Sequence, residues 1–145
     1  MKYFLLIFLI ILIACLAFLT TAKQQPYAII GNVTFYVDVA RTPEQQTKGL
    51  AIYNSLPLNK GMVFPFEKPD YYAFWMKDMK FPIDIIYIKK GEIVDIFKDV
   101  LPPLSPSSQL PVYKPKKPAD TVLEINAGLS DKYNFKTGEN IKINY

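Results

Sequence analysis

The hydropathy pattern divides the chain in two. From Tyr3 to Ala22 no residue is charged and nearly all are apolar, with Lys2 before the run and Lys23 after it. As a helix these twenty residues reach roughly 30 Å, the thickness of a bilayer core. Beyond Lys23 the apolar residues come in short bursts, many alternating with polar ones and separated by Gly, Pro and Asn, which is the pattern of strands. Tyr27 to Ala40 predicts two strands around a Gly31-Asn32 turn. Thr42-Pro43-Glu44-Gln45 predicts a helix start, with Thr42 as cap and Pro43 in the first turn, and the helix ends near Gly49. Gly61 to Phe66 reads as a strand that Pro65 places at an edge or bulge. Tyr72 to Met79 reads as another, and Ile83 to Ile88 with Ile93 to Val100 as a hairpin. Leu101 to Pro118 holds six of the 12 prolines and predicts an extended connection. Thr121 to Asn126 and Asn140 to Asn144 complete the strands, with one or two helical turns between Leu129 and Asn134. The expected fold is mainly β: a compact antiparallel sandwich or barrel-like domain with one or two short helices, after an N-terminal membrane helix.

Three segments follow: residues 1–22 as anchor or signal, 23–26 as linker, and 27–145 as the β-rich domain. The first segment has three readings. It is a retained membrane anchor, a secretory signal cut after Thr20-Thr21-Ala22, or a lipoprotein signal in which Leu12-Ile13-Ala14-Cys15 is the processing site. Cys15 is equally accounted for as a small apolar residue in a membrane helix. Each reading predicts a membrane-anchored or secreted protein whose domain lies outside the cytoplasm.

Composition removes several chemistries. There is no His, which excludes a His-dependent triad, a His zinc site and a His proton shuttle. The lone Cys lies in the apolar run, so the domain has neither disulfide nor thiol nucleophile. No metal-ligand spacing, phosphate loop or dinucleotide fingerprint is present, and no cofactor is expected. From Lys23 onward 16 basic residues face 13 acidic ones, a balance too even to point to nucleic acid. Catalysis would have to rest on carboxylates, Lys, Tyr or Ser.

Five residues stand out against this background. Arg41 is the only Arg beside 16 Lys and sits where a strand meets a helix, a place for a planar fork of donors. Trp75, the only Trp, shares a strand face with Lys77, while Phe74 and Met76 take the other. Asp84 and Glu124 are carboxylates within apolar strands, where an unpaired charge is costly. Each has a structural reading too: Arg41 bridging Asp84 or Glu124, Trp75 as a core ring, the carboxylates paired inside the fold. Lys114, Lys116 and Lys117 cluster in the Pro-rich connection, which serves either as a cover for a site or as a plain crossover.

The stretches Arg41-Thr42-Pro43-Glu44-Gln45, Gly61-Met62-Val63-Phe64, Phe74-Trp75-Met76-Lys77-Asp78, Pro82-Ile83-Asp84-Ile85-Ile86 and Val122-Leu123-Glu124-Ile125-Asn126-Ala127-Gly128, in that order, resemble the bacterial and archaeal family known as domain of unknown function 192. The resemblance implies a compact β-rich domain, often after a signal or membrane segment, and no established activity. It implies that Arg41, Trp75, Lys77, Asp84 and Glu124 are the recurrent polar positions. Many members carry Asn at the position of Asp78 and a Cys within the Pro loop, and this chain has neither. The first functional expectation is binding rather than catalysis: a tethered domain taking a glycan, another small polar ligand or an envelope partner in a cleft lined by those five residues. The second is a hydrolase of envelope polysaccharide with Asp84 and Glu124 as acid and base, which needs the two carboxyls roughly 5 to 10 Å apart. The third is a structural interaction module whose charges pair internally. Oligomeric state is open.

Overall fold

The computed structural model describes residues 2–20, 24–105 and 110–145, and within the first helix the side chains at positions 3, 4 and 6–13. Helix α1 spans Lys2–Thr20, and its described apolar side chains are exposed. Among the described residues no helix is long and apolar enough to cross a membrane. The expected cleavage point after Ala22, the side chain of Cys15 and Pro106 of the connection lie outside the described residues.

Among the described residues nine strands follow: β1 (Tyr27–Ile30), β2 (Val33–Val39), β3 (Lys60–Asp70), β4 (Phe74–Trp75), β5 (Ile83–Lys89), β6 (Glu92–Val100), β7 (Val112–Tyr113), β8 (Ala119–Asn126) and β9 (Ile141–Asn144). Seven form one sheet in the order β6-β5-β8-β3-β2-β1-β9, and β4 pairs with β7 in a separate ribbon. The sheet curls until its two edges meet at one corner. There the Ile141 N–H donates to the Gly91 carbonyl at 2.8 Å and the Ile93 N–H to the Glu139 carbonyl at 2.9 Å. The result is a half-barrel, within the expected class, with two departures.

The sheet is not wholly antiparallel, because β2 and β3 run parallel. A parallel pair needs a crossover, and residues 40–59 supply it through helix α2 (Pro43–Lys48) and the 3-10 turn Gly49–Ile52. Thr42 caps α2 in a reciprocal capping box with Gln45, as its sequence predicts. Gln46 Nε2 then donates to the carbonyls of Ala40 and Pro65, both at 3.3 Å, and so pins α2 to β3. The second departure is the segment around Trp75. Only Phe74–Trp75 is a strand; the turn at Lys77-Asp78, closed by the Met79 N–H on the Met76 carbonyl at 3.2 Å, ends it. Asp78 has φ 60°, a left-handed backbone that Asn and Asp tolerate best among residues with a side chain. Pro65 lies in an internal strand, but just past the last β2–β3 pair at Val63 and beside the register shift toward Asp70, where a missing N–H breaks no ladder.

Ile83 to Ile88 are all buried because β5 is covered on both faces. Alternation sends Ile86 and Ile88 to a core with Phe35, Leu123 and Ile125, and sends Ile83, Ile85 and Tyr87 to a second core with Phe64, Met76 and Val122. Gly61 is required by the close approach of β3 to β8: a Cβ there would sit 2.7 Å from the Glu124 carbonyl oxygen.

Asp84 belongs to the first face and is fully buried. Its Oδ1 accepts from the N–H groups of Asp99 at 2.9 Å and Gly128 at 3.2 Å, and its Oδ2 from the Ser130 N–H at 2.8 Å. One carboxylate thus ties β5 to the end of β6 and to the start of helix α3 (Leu129–Lys132). The expectation that Asp84 lines a ligand cleft is therefore corrected: it is a sealed internal staple. Replacing it by Ala leaves three buried amides without an acceptor, and Asp84→Ala is expected to lose at least about 3 kcal/mol of stability in chemical denaturation. A loss under about 1 kcal/mol would show that the staple is dispensable.

Candidate functional site

The second face opens at one side into a cleft of about 510 Å³. One wall is the end of α2 and the turn after it, with Lys48, Gly49 and Leu50. Facing it is the β4–β7 ribbon with its flanks, contributing Phe74, Trp75, Lys77, Val112 and Lys114. Phe66, Tyr72 and Met79 extend the apolar lining, and Glu124 of β8 also faces the cleft.

The ribbon is held by groups on the second face. Tyr87 donates its O–H to the Tyr113 carbonyl at 2.9 Å. Burial first, then the nearby charges of Glu124 and Asp95, push the Tyr87 phenol above its usual range. Asp95 pairs opposite Tyr87 and accepts the Lys116 N–H at 2.8 Å. These two residues fix the Pro-rich segment against β5 and β6, so Val112 can pair with Trp75 across the ribbon. Phe66 and Tyr72 stack with ring centroids 3.6 Å apart and Phe74 meets Phe64 edge-on, which stiffens the aromatic wall. The Pro-rich connection thus supplies part of the site.

Alternation places Trp75 and Lys77 outward and buries Met76, as the sequence predicts. Trp75 is 48% exposed within the cleft, which sets aside its reading as a core ring. Glu124 is the opposite case. It is 5% exposed, and its Oε2 has no hydrogen-bond partner. Burial raises its carboxyl to about 8, opposed only in part by the Leu50 N–H that it accepts. Burial thus favours the protonated form of Glu124, and its buried Oε2 stands unpartnered next to the cleft. Gly49, beside it, takes φ 48° and ψ −141°, a backbone that disfavours a side chain.

Three of the five expected residues, Trp75, Lys77 and Glu124, come together in the cleft. Arg41 does not. Its guanidinium lies over the Tyr145 ring at 4.8 Å, on neither Asp84 nor Glu124, so the expected bridge is absent too. The acid–base pair is also excluded by geometry. Asp84 pairs with Ile125 and Ile85 pairs with Glu124, so the two carboxyls point to opposite faces of the sheet. Sequence reasoning missed Lys48, Phe66 and Tyr72 as lining residues. No local signal marks them, since their convergence depends on the crossover and on the fold-back of the ribbon.

With the geometry in hand, the family follows. Residues 27–143 match the model of the DUF192 family, described as "Uncharacterized ACR", and the chain belongs to that family. No curated protein matches. Two crystal structures are similar. A protein of unknown function from Novosphingobium aromaticivorans DSM 12444 is 29% identical with a TM-score of 0.72, over 81% of this chain and 83% of that one. A protein from Sinorhizobium meliloti 1021, described as a proposed transcription regulator, is 26% identical with a TM-score of 0.71, over 84% of this chain and 94% of that one.

Glu124 gives a pH signature with a definite sign. Between about pH 4.5 and 8 the unfolded chain carries an ionised Glu124 and the folded chain a protonated one. Folding takes up a proton, so this residue makes stability fall as pH rises, by about 1.4 kcal/mol per unit across that window. Glu124→Gln removes the contribution. Denaturation midpoints of the two proteins are expected to diverge from pH 5 to 8 in favour of the variant, whereas parallel curves would mean that Glu124 ionises normally.

Proposed function

We propose that this chain is a membrane-tethered extracytoplasmic binding domain that takes a polar, sugar-like ligand in the cleft between α2 and the β4–β7 ribbon. The observation that carries it is the pairing of a half-exposed Trp75 with a buried, partnerless Glu124 oxygen in one hollow. A flat aromatic face beside a polar group that lacks a partner suits a ring that is apolar on its faces and hydroxylated at its edge. Trp75 stacks the ring, Lys77 reaches its periphery and Glu124 exchanges hydrogen bonds with a hydroxyl. Arg41 and Asp84 take no part.

Catalysis by the pair Asp84 and Glu124 has no support, since the two lie on opposite faces of the sheet, and Asp95, a carboxylate on the face of Glu124, is engaged by the N–H groups of Ile96 and Lys116. The designation of the Sinorhizobium protein as a regulator is not carried over. The domain's charge is nearly balanced, and its helices α2 and α3 have six and four residues, too short for a recognition helix.

The tether is supported by the uncharged run Tyr3 to Ala22 and by the exposed apolar side chains of α1. The linker of residues 23–26 spans at most about 14 Å, which would keep the domain close to the bilayer. The full chain is expected to stay in the membrane pellet after alkaline extraction, and a chain starting at Lys23 to be released. Release of both would remove the tether.

Trp75, the only Trp, reports binding directly. The full chain, in a detergent without a sugar headgroup, is titrated with envelope oligosaccharides while its fluorescence is followed. Saturable changes are expected, with Trp75→Phe weakening affinity about tenfold by calorimetry and Arg41→Lys leaving it unchanged. Absence of binding, or equal affinity for Trp75→Phe, would overturn the proposal.

A further inference from the structure

We infer that the ligand is an anionic sugar, a ring stacked on Trp75 whose acidic group is met by Lys48, Lys77 and Lys114. This inference rests on the reading of the cleft as a sugar site and adds the sign of the ligand's charge. Three cations from three separate elements converge on one hollow: Lys48 from the last turn of α2, Lys77 from the turn after β4, and Lys114 from the residue after β7. Glu124 is the single carboxyl in the lining.

The charge is not cancelled within the site. Among the described residues the one ion pair joins Lys98 to Asp131; Lys48 interacts with the Glu44 carboxylate one turn back on α2, whereas Lys77 and Lys114 have no carboxylate within ion-pair distance. Burial favours the protonated form of Glu124, which lessens the negative charge it brings to the hollow. Its Oε2 lacks a partner within the fold, and when protonated it takes an acceptor, which an acidic oxygen supplies better than a hydroxyl does. Lysines on a solvated face would be spread over polar surface. Here they border a lining that includes Leu50, Phe74 and Met79, where the low-dielectric wall strengthens their pull on an anion.

The backbones that carry them are also fixed. Lys48 directly precedes the constrained Gly49. Lys77 sits in the turn closed by the Met79 N–H on the Met76 carbonyl. Lys114 follows Tyr113, whose carbonyl is held by the Tyr87 O–H. A neutral sugar would leave Lys77 and Lys114 beside a partly enclosed hollow with no counter-charge.

The source of the acid is either a carboxylate or a phosphate, and the experiment separates them. The full chain, in the same sugar-free detergent, is titrated at constant ionic strength with trigalacturonate, glucose 6-phosphate, maltotriose and inorganic phosphate. At least one acidic sugar is expected to bind about tenfold or more tightly than maltotriose and than inorganic phosphate. Lys77→Gln and Lys114→Gln, both exposed positions that leave the core intact, are each expected to weaken that acidic sugar about fivefold and to leave maltotriose unchanged. Raising the salt to about 0.5 M is expected to reduce the preference. Equal affinity for acidic and neutral sugars, or acidic binding indifferent to both lysine variants, would overturn the charge and leave the sugar site standing. Inorganic phosphate binding as tightly as the sugar phosphate would overturn the role of the ring. No binding by any of the four probes, repeated with the envelope oligosaccharides, would remove the sugar site and this inference together.

Discussion

Side-chain alternation in β5 and β8 is the constraint on which the rest depends. Both strands are buried on both faces, so every polar group in them must find its partners within one layer or the other. The register that sets Ile85 opposite Glu124 sends Asp84 and Glu124 to different layers. In one layer three backbone amides surround the carboxylate and complete it. In the other a single amide does so in part, and the layer opens to a cleft. Two carboxylates in similar apolar settings thus differ, one completed within the fold and one left with an unpartnered oxygen.

Much of the fold was legible because it is written in local chemistry. The capping box at Thr42, the Lys90-Gly91 hairpin turn and the alternation around Trp75 each act within a few residues, and each appears where the sequence puts it. The parallel pairing of β2 with β3 was not legible. Nothing in either strand specifies direction, and the crossover of residues 40–59 reads equally as a loop returning to an antiparallel neighbour. Apolar composition likewise marked Tyr72 to Met79 as a strand, yet the left-handed Asp78 turns the chain after two paired residues.

The site was legible by half for a related reason. An ionic residue in an apolar burst signals a special environment, and Asp84 and Glu124 both have one. The signal does not distinguish a sealed environment from an open one. Trp75 and Lys77 were recoverable from alternation, whereas Lys48 and Lys114 reach the cleft only through tertiary contacts. Those contacts are made by Gln46 pinning α2 and by Tyr87 and Asp95 pinning the Pro-rich segment. The scarcity of Arg made Arg41 conspicuous, but its ring contact with Tyr145 serves the periphery.

Glu124 is costly to keep as it stands. A Gln or Met of similar size would avoid the burial of an acid that is ionised in the unfolded chain at neutral pH, and nothing in its surroundings rewards the carboxyl with a cation or a second amide. Asp84 shows that this fold can complete a buried carboxylate where only architecture is at stake. The incomplete one lies at the cleft, next to a glycine whose positive φ disfavours a side chain and beside the aromatic wall. A group destabilising in isolation and placed at an opening is the feature on which the proposed binding of an outside partner rests.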